Sequence, residues 1–179
     1  MNLKFEEFID DIDTLIEFLI SDTWEFYGTP NPKPERVRAS YENNYFTGGD
    51  CRTFWVVADE NTKIGMVRMY DLENGDPLFD IRILSKYKGN GIGTKTIKWM
   101  VDFIFSNYPD KERIEANTRQ DNYAMRSVFN KCGFVKEAHH RKAWVGSDGV
   151  PYDAIGYGII KEDWMDGKVT LVNWDDFKY

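Results

Sequence analysis

Apolar residues along this chain switch between helical and alternating spacing, and the switches mark out its elements. Phe5, Phe8, Ile9, Ile12, Leu15, Ile16 and Leu19 recur every three or four positions, which predicts an amphipathic helix from about 8 to 20. Residues 2–6 read equally well as a short opening strand. The stretch from Gly28 to Pro34 holds three prolines and breaks the pattern, and Pro34 is placed to open a second helix toward Phe46. Thr47-Gly48-Gly49-Asp50 ends that helix. Two β-branched and aromatic runs, 53–58 and 63–70, flank Asp59-Glu60-Asn61-Thr62 and predict a hairpin.

A polar loop over 72–76 leads to a strand from Pro77 to Leu84. There Phe79, Ile81 and Ile83 share one face and Asp80 and Arg82 the other. Ile92, Thr96, Ile97, Met100, Val101, Ile104 and Phe105 then trace one side of a helix that stops by Asn107-Tyr108-Pro109. A strand over 113–118 and a helix over 122–131 follow, the latter closed by Gly133. Strands at 134–144 and 152–160 are joined by Gly146-Ser147-Asp148-Gly149, and the tail from Trp164 to Trp174 reads as helix or edge strand. With no repeat, linker or low-complexity run, the order predicts a single α+β domain over residues 1–179.

Charge narrows the partners. Acidic residues outnumber basic ones, 30 to 23, for a net charge of −7. That balance argues against a nucleic-acid partner, which calls for a basic face, and suits a cationic ligand such as an amine. Cys51 and Cys132 make no disulfide framework, and no Cys/His set has metal spacing. His139 and His140 are adjacent in a predicted strand and point to opposite faces. No apolar run reaches the roughly 20 residues of a membrane span, and the start lacks a signal-peptide core, so the expected location is cytoplasmic. Trp24, Phe26, Tyr27, Tyr41 and Tyr45 read as core or as groove walls.

The stretch that carries chemistry runs from Ile81 to Lys98, where an apolar strand enters a turn with Gly89, Gly91 and Gly93 and a helix follows at once. Glycines let backbone N–H groups approach a ligand, and the first turn of a helix favours an anion. Spacing separates the candidate ligands. A triphosphate loop needs Gly-Lys-Ser/Thr, and Gly93-Thr94-Lys95 inverts that order. A dinucleotide loop needs G-x-G-x-x-G, and here Gly89-x-Gly91 leads to Thr94.

Lys88-Gly89-Asn90-Gly91-Ile92-Gly93 resembles the Arg/Gln-x-x-Gly-x-Gly/Ala loop of the GNAT N-acetyltransferases, with lysine where that family has Arg or Gln. A second block, from Asn122 through Lys131-Cys132-Gly133-Phe134, resembles the family's Asn-x-x-Ser/Ala…Glu-Lys-x-Gly-Phe segment. Arg141, Ser147-Asp148-Gly149, Asp153 and Trp164 look like the closing hairpin of its ribosomal-protein-acetylating and small-amine branch.

The resemblance implies a mixed, mostly antiparallel sheet of six or seven strands flanked by helices, with splayed central strands. It implies acetyl-CoA as co-substrate, no metal, and direct attack by a primary amine. That amine would belong to a small molecule, an antibiotic or a protein N-terminus, and the protein would be a monomer or homodimer. The backbone of Lys88, Gly89, Asn90, Gly91, Ile92, Gly93 and Thr94 would hold the pyrophosphate, and Ile81, Ile83 and Asn122 the pantetheine. Asn122 reads equally well as the N-cap of its own helix. Asp80 and Glu115 are the candidate general bases. The tyrosine that serves many family members as general acid is replaced here by Phe129, which leaves Ser127 as the candidate proton donor to the leaving thiol. The alternative is a non-catalytic acyl-CoA-binding module on the same fold.

Overall fold

In the computed structural model, which describes residues 2–174, the chain opens with β1 (Lys4–Glu7), α1 (Ile12–Ile20) and α2 (Pro34–Glu42). It continues through β2 (Cys51–Ala58), β3 (Thr62–Tyr70), β4 (Leu78–Ile83), α3 (Ile92–Asn107), β5 (Arg113–Arg119) and α4 (Tyr123–Lys131). It ends with β6 (Val135–Val145), β7 (Pro151–Ile160) and α5 (Lys161–Asp166). The opening segment is a strand. Phe8 prolongs its pairing by donating to the Thr53 carbonyl (2.8 Å), and Asp11 then caps the Thr14 amide (3.2 Å), so α1 begins four residues later than its periodicity suggests. The second helix stops at Glu42, because Asn44 takes a left-handed conformation (φ 59°), and Phe46 is buried from the turn instead.

The strands form two antiparallel ladders, β1-β2-β3-β4 and β5-β7-β6, rather than one continuous sheet. They touch where the Glu115 amide donates to the Pro77 carbonyl (2.8 Å). Among the described residues no further backbone bond joins β4 to β5, so the two strands part beyond that point.

Two cores clamp the first ladder. On one side Leu15, Phe18, Leu19, Trp24 and Val37 pack against Trp55, Val57 and Met66. On the other, Ile97, Met100, Val101 and Ile104 of α3 meet Val67, Ile114, Phe129 and Ile159. The side facing α1 and α2 therefore carries Asp80 and Arg82, and the side facing α3 carries Phe79 and Ile81, as the alternation predicts.

Gly65 on β3 sets how closely β4 can lie. A Cβ there would stand 2.6 Å from the Arg82 carbonyl oxygen and 2.5 Å from Ile83 Cδ1. Gly65→Ala must push β4 outward, and we expect a loss of about 1–3 kcal/mol in chemical denaturation. Unchanged stability would show that β4 yields freely.

Candidate functional site

The glycine turn has the form that the sequence predicts. A 3-10 turn, Ser85–Tyr87, ends β4's descent, and Gly89 (φ 82°) and Gly91 (φ 73°) follow in left-handed conformations. Gly91 is the N-cap of α3, and no side chain caps that helix. The first intrahelical bond runs from the Lys95 amide to the Gly91 carbonyl (3.1 Å), so the amides of Ile92, Gly93 and Thr94 precede the ladder. An added Cβ at Gly89 or Gly91 would meet nothing within 4 Å, so the loop's outer side is open. Asn90 turns its side-chain amide back onto the Tyr87 and Lys88 carbonyls (both 3.3 Å), which fixes the turn.

Asp22 ties this loop to the C-terminal end of α1. Its carboxylate accepts the Ser85 amide and the Ser85 hydroxyl (2.8 Å). Burial pushes the Asp22 carboxyl up, but these bonds, the Thr23 amide and the nearby Lys88 charge outweigh it and hold the group below the usual carboxylate range. A carboxyl lowered on folding stabilises the fold above its unfolded value of about 4 and loses that contribution as pH falls through the folded value. Asp22→Asn should therefore lower the melting temperature at neutral pH by a few degrees and flatten the acid limb of stability against pH. An acid limb identical to the wild type would remove Asp22 from this role.

Beyond Pro77 and Glu115, two strand edges face each other unpaired. The Leu84 amide bonds the Ile64 carbonyl (2.9 Å), so alternate residues of β4 turn toward β3, and Ile81 and Ile83 turn into the gap. Ile81 and Ile83 thus present their backbone to the gap, where the Tyr27 hydroxyl donates to the Ile81 carbonyl. Burial pushes the Tyr27 phenol well above its ordinary value despite Arg82 beside it, so it stays a donor. Asn122 is the N-cap of α4, its Oδ1 accepting the Met125 amide (3.2 Å) and its Nδ2 donating to Thr118 Oγ1 (3.1 Å). One amide hydrogen is left for a ligand.

The candidate catalytic residues fare differently. Asp80 stands on the face toward α1 and α2, where its Oδ2 accepts the Tyr45 hydroxyl (2.7 Å) and faces Arg68 Nη1 (3.7 Å). Burial and the Asp80 charge push the Tyr45 phenol upward, which keeps it protonated. Glu115 sits at the closed end of the gap, where Arg113 gathers Glu115 (2.5 Å), Glu137 (2.5 Å) and Asp76 (3.0 Å). Its carboxylate belongs to the join between the ladders rather than to the opening.

Ser127 is exposed, in a depression of about 470 Å³ with Tyr123, Arg126, Asn130, Lys131 and Tyr157. The side of α4 that meets the glycine turn carries Val128, 3.6 Å from a Cβ built on Gly93, and Cys132, whose Sγ lies 3.6 Å from the Thr94 carbonyl. Ser127 is about 200° around the helix from Phe129 and from Met125, so the turn of the helix carries it out of the gap. Phe129 is buried among Phe79, Phe134 and Tyr157.

Sequence reasoning missed the arginines on the Asp80 face. Arg68 stacks on Tyr45 (3.8 Å) and Tyr70 (4.3 Å), Arg82 on Tyr27 (4.0 Å), and Arg119 on Tyr152 (4.0 Å) and Phe26 (4.8 Å). Alternation put Arg82 in phase with Asp80, which was the one signal available. Among the described residues no three His, Cys, Asp or Glu side chains converge as a metal site, and no helix is long and apolar enough to cross a membrane.

Residues 2–135 match the family model described as Acetyltransferase (GNAT) domain. Among solved structures, a chimera of the Vibrio cholerae spermidine N-acetyltransferase SpeG and hSSAT superposes with a TM-score of 0.80 at 18% identity, covering 92% of this chain and 98% of that one. The Vibrio cholerae spermidine N-acetyltransferase in complex with CoA and spermine gives 0.75 at 19% identity, covering 91% and 98%. At such identities the likeness concerns the fold.

Proposed function

The chain belongs to the acetyltransferase (GNAT) family, which makes it an acetyl-CoA-dependent N-acetyltransferase, and we propose that its acceptor is a small primary amine entering from the α1–α2 side of the cleft. The observation that carries this reading is the set of uncapped amides opening α3, directly beyond the point where β4 and β5 part. The residues present fit the pyrophosphate and pantetheine of the co-substrate. Each amide donated to a charged oxygen contributes about 1.5–3 kcal/mol net, so three or four approach the ~8 kcal/mol of a micromolar ligand before ordering costs. Lys86 and Lys88 add positive charge beside the turn. Ile83, the Ile81 amide and the free hydrogen of Asn122 supply polar partners along the gap.

Acetyl-CoA brings an activated acetyl group, and the chain must present an unprotonated amine to it. A lysine-like amine is neutral about once in 10³ at pH 7, so a proton acceptor is worth having. Asp80 fills that role here, acting through water: it lies on the acceptor side next to Ile81, and its Oδ1 meets no donor among the described residues. Glu115 is paired with Arg113 at the closed end of the gap, which favours Asp80 over it. Phe129 has no proton to give and the Ser127 hydroxyl lies in the outer depression, but a leaving thiol with an ordinary pKa near 8.5 requires no donor.

Thiol release from acetyl-CoA, screened over polyamines, amino acids, aminoglycosides and N-terminal peptides, tests the activity. The spermidine and spermine acceptors of the structural neighbours make polyamines one arm of that screen. The missing phenol at position 129 favours a second reading, a non-catalytic acyl-CoA-binding module. Tight acetyl-CoA binding with no turnover of any amine would select it.

A further inference from the structure

Arg82 is the cation on the acceptor wall that lacks a counter-charge. Its guanidinium lies 4.0 Å from the ring centre of Tyr27 and 5.8 Å from that of Trp24, and its Nε and Nη1 are buried without an acceptor. Arg68 faces Asp80 (3.7 Å), and Arg119 is bound by both oxygens of Asp121 (2.7 and 2.8 Å). Among the described residues no carboxylate stands within 4.0 Å of Arg82. Asp80, two positions back on the same face, accepts the Tyr45 hydroxyl at its Oδ2, which also faces Arg68.

Aromatic faces stabilise a guanidinium in part, but buried N–H groups without acceptors and an unmatched charge remain costly. Nη2 is not among the buried nitrogens, and an anionic ligand that meets the guanidinium there offsets the unmatched charge; a carboxylate suits a guanidinium best. The strand position settles which ligand. Arg82 adjoins Ile81 and Ile83, whose backbone lines the gap, and its side chain projects to the α1–α2 side together with Asp80. The pyrophosphate has its own amides at the head of α3, on the far side of the Ser85–Tyr87 turn.

We propose that Arg82 docks a carboxylate carried by the acceptor, so that the amine acetylated belongs to an amino acid or related amino carboxylate rather than to a polyamine. This rests on the amine-acetylation reading above and narrows it. Tyr27 and Trp24 hold the guanidinium in place from the α1–α2 loop, and Tyr27 is itself fixed by its bond to the Ile81 carbonyl.

Matched acceptors provide the test: lysine against cadaverine, ornithine against putrescine, and 4-aminobutyrate against propylamine, each in the thiol-release assay with the intact chain. The carboxylate-bearing member should be favoured about 10- to 100-fold in kcat/KM, the effect of one charged hydrogen-bonded contact. Arg82→Gln should bring that ratio close to one, and Arg82→Lys should keep part of it. Calorimetric titration of the same compounds into the CoA-loaded protein reads docking without chemistry. Amino carboxylates that bind through Arg82 but are never acetylated would uphold the docking and sink the catalytic reading. Amines acetylated with no preference for a carboxylate would do the reverse. A ratio unaltered in Arg82→Gln, or no binding of any amino carboxylate, overturns the proposal, and if that variant does not fold the wild-type pairs decide alone.

Discussion

Gly91→Glu should weaken acetyl-CoA binding by at least about 10²-fold while leaving the protein folded, because it sets a carboxylate at the mouth of the proposed anion site. Gly91 sits at φ 73° as the N-cap of α3. An L-residue held there costs roughly 1–2 kcal/mol, which for a chain of this size appears as a few degrees in Tm. Nothing stands within 4 Å of the new Cβ, so no core contact is disturbed. The glutamate would project from the open side of the turn, compete for the amides of the first helical turn, and repel the incoming phosphates. Gly91→Asn separates the causes, since asparagine tolerates the left-handed conformation without the charge. It should lose far less affinity, about fivefold or under if one weak contact is disturbed. Calorimetric titration with acetyl-CoA, beside a thermal melt, checks both, and a glutamate variant that binds within threefold of the wild type would show that the pyrophosphate is held elsewhere.

How far the sequence foretold these features depends on the range of the interaction that decides each one. The stripe Ile92, Ile97, Met100, Val101, Ile104 and Phe105 is a single-helix property, and all six residues are buried. The faces of β4 follow from alternation alone. The ends of α1 and α2 were less legible, because one cap at Asp11 and one left-handed residue at Asn44 decide them. The division into two ladders has no local signature, since it concerns where β4 and β5 stop pairing across an intervening helix. Ser127 was placed by its distance along the chain, whereas its angle around α4 decides what it can reach. For Glu115 the signal was in view: Arg113, two residues earlier on the same strand face, is its ion-pair partner. The aromatic seats of Arg82 and Arg119 come from the loop between α1 and α2 and from the final hairpin, and no spacing in the sequence reports that meeting.

Asp80→Asn should lower kcat/KM by about 10²- to 10³-fold toward a lysine-like amine, within the range of a lost general base. Asparagine keeps the size of the side chain and can still accept the Tyr45 hydroxyl, so the link between Tyr45 and β4 survives the substitution. What disappears is the negative charge facing Arg68 and the capacity to take a proton. The deficit should therefore depend on how much of the amine is already neutral. That fraction rises about tenfold per pH unit up to an amine pKa near 10.4, so the variant's rate should climb with pH more steeply than the wild type's. An acceptor with an α-amino group, ordinary pKa about 8, should be hurt less than one with a lysine-like amine under the same conditions. Acetyl-CoA affinity should stay close to wild type, because Asp80 lies on the opposite side of β4 from Phe79 and Ile81 and away from the glycine turn. A deficit equal at every pH and for every amine would mean that Asp80 serves only to position Tyr45 and Arg68, and the proton would then have to leave the amine for water before the amine reaches the cleft.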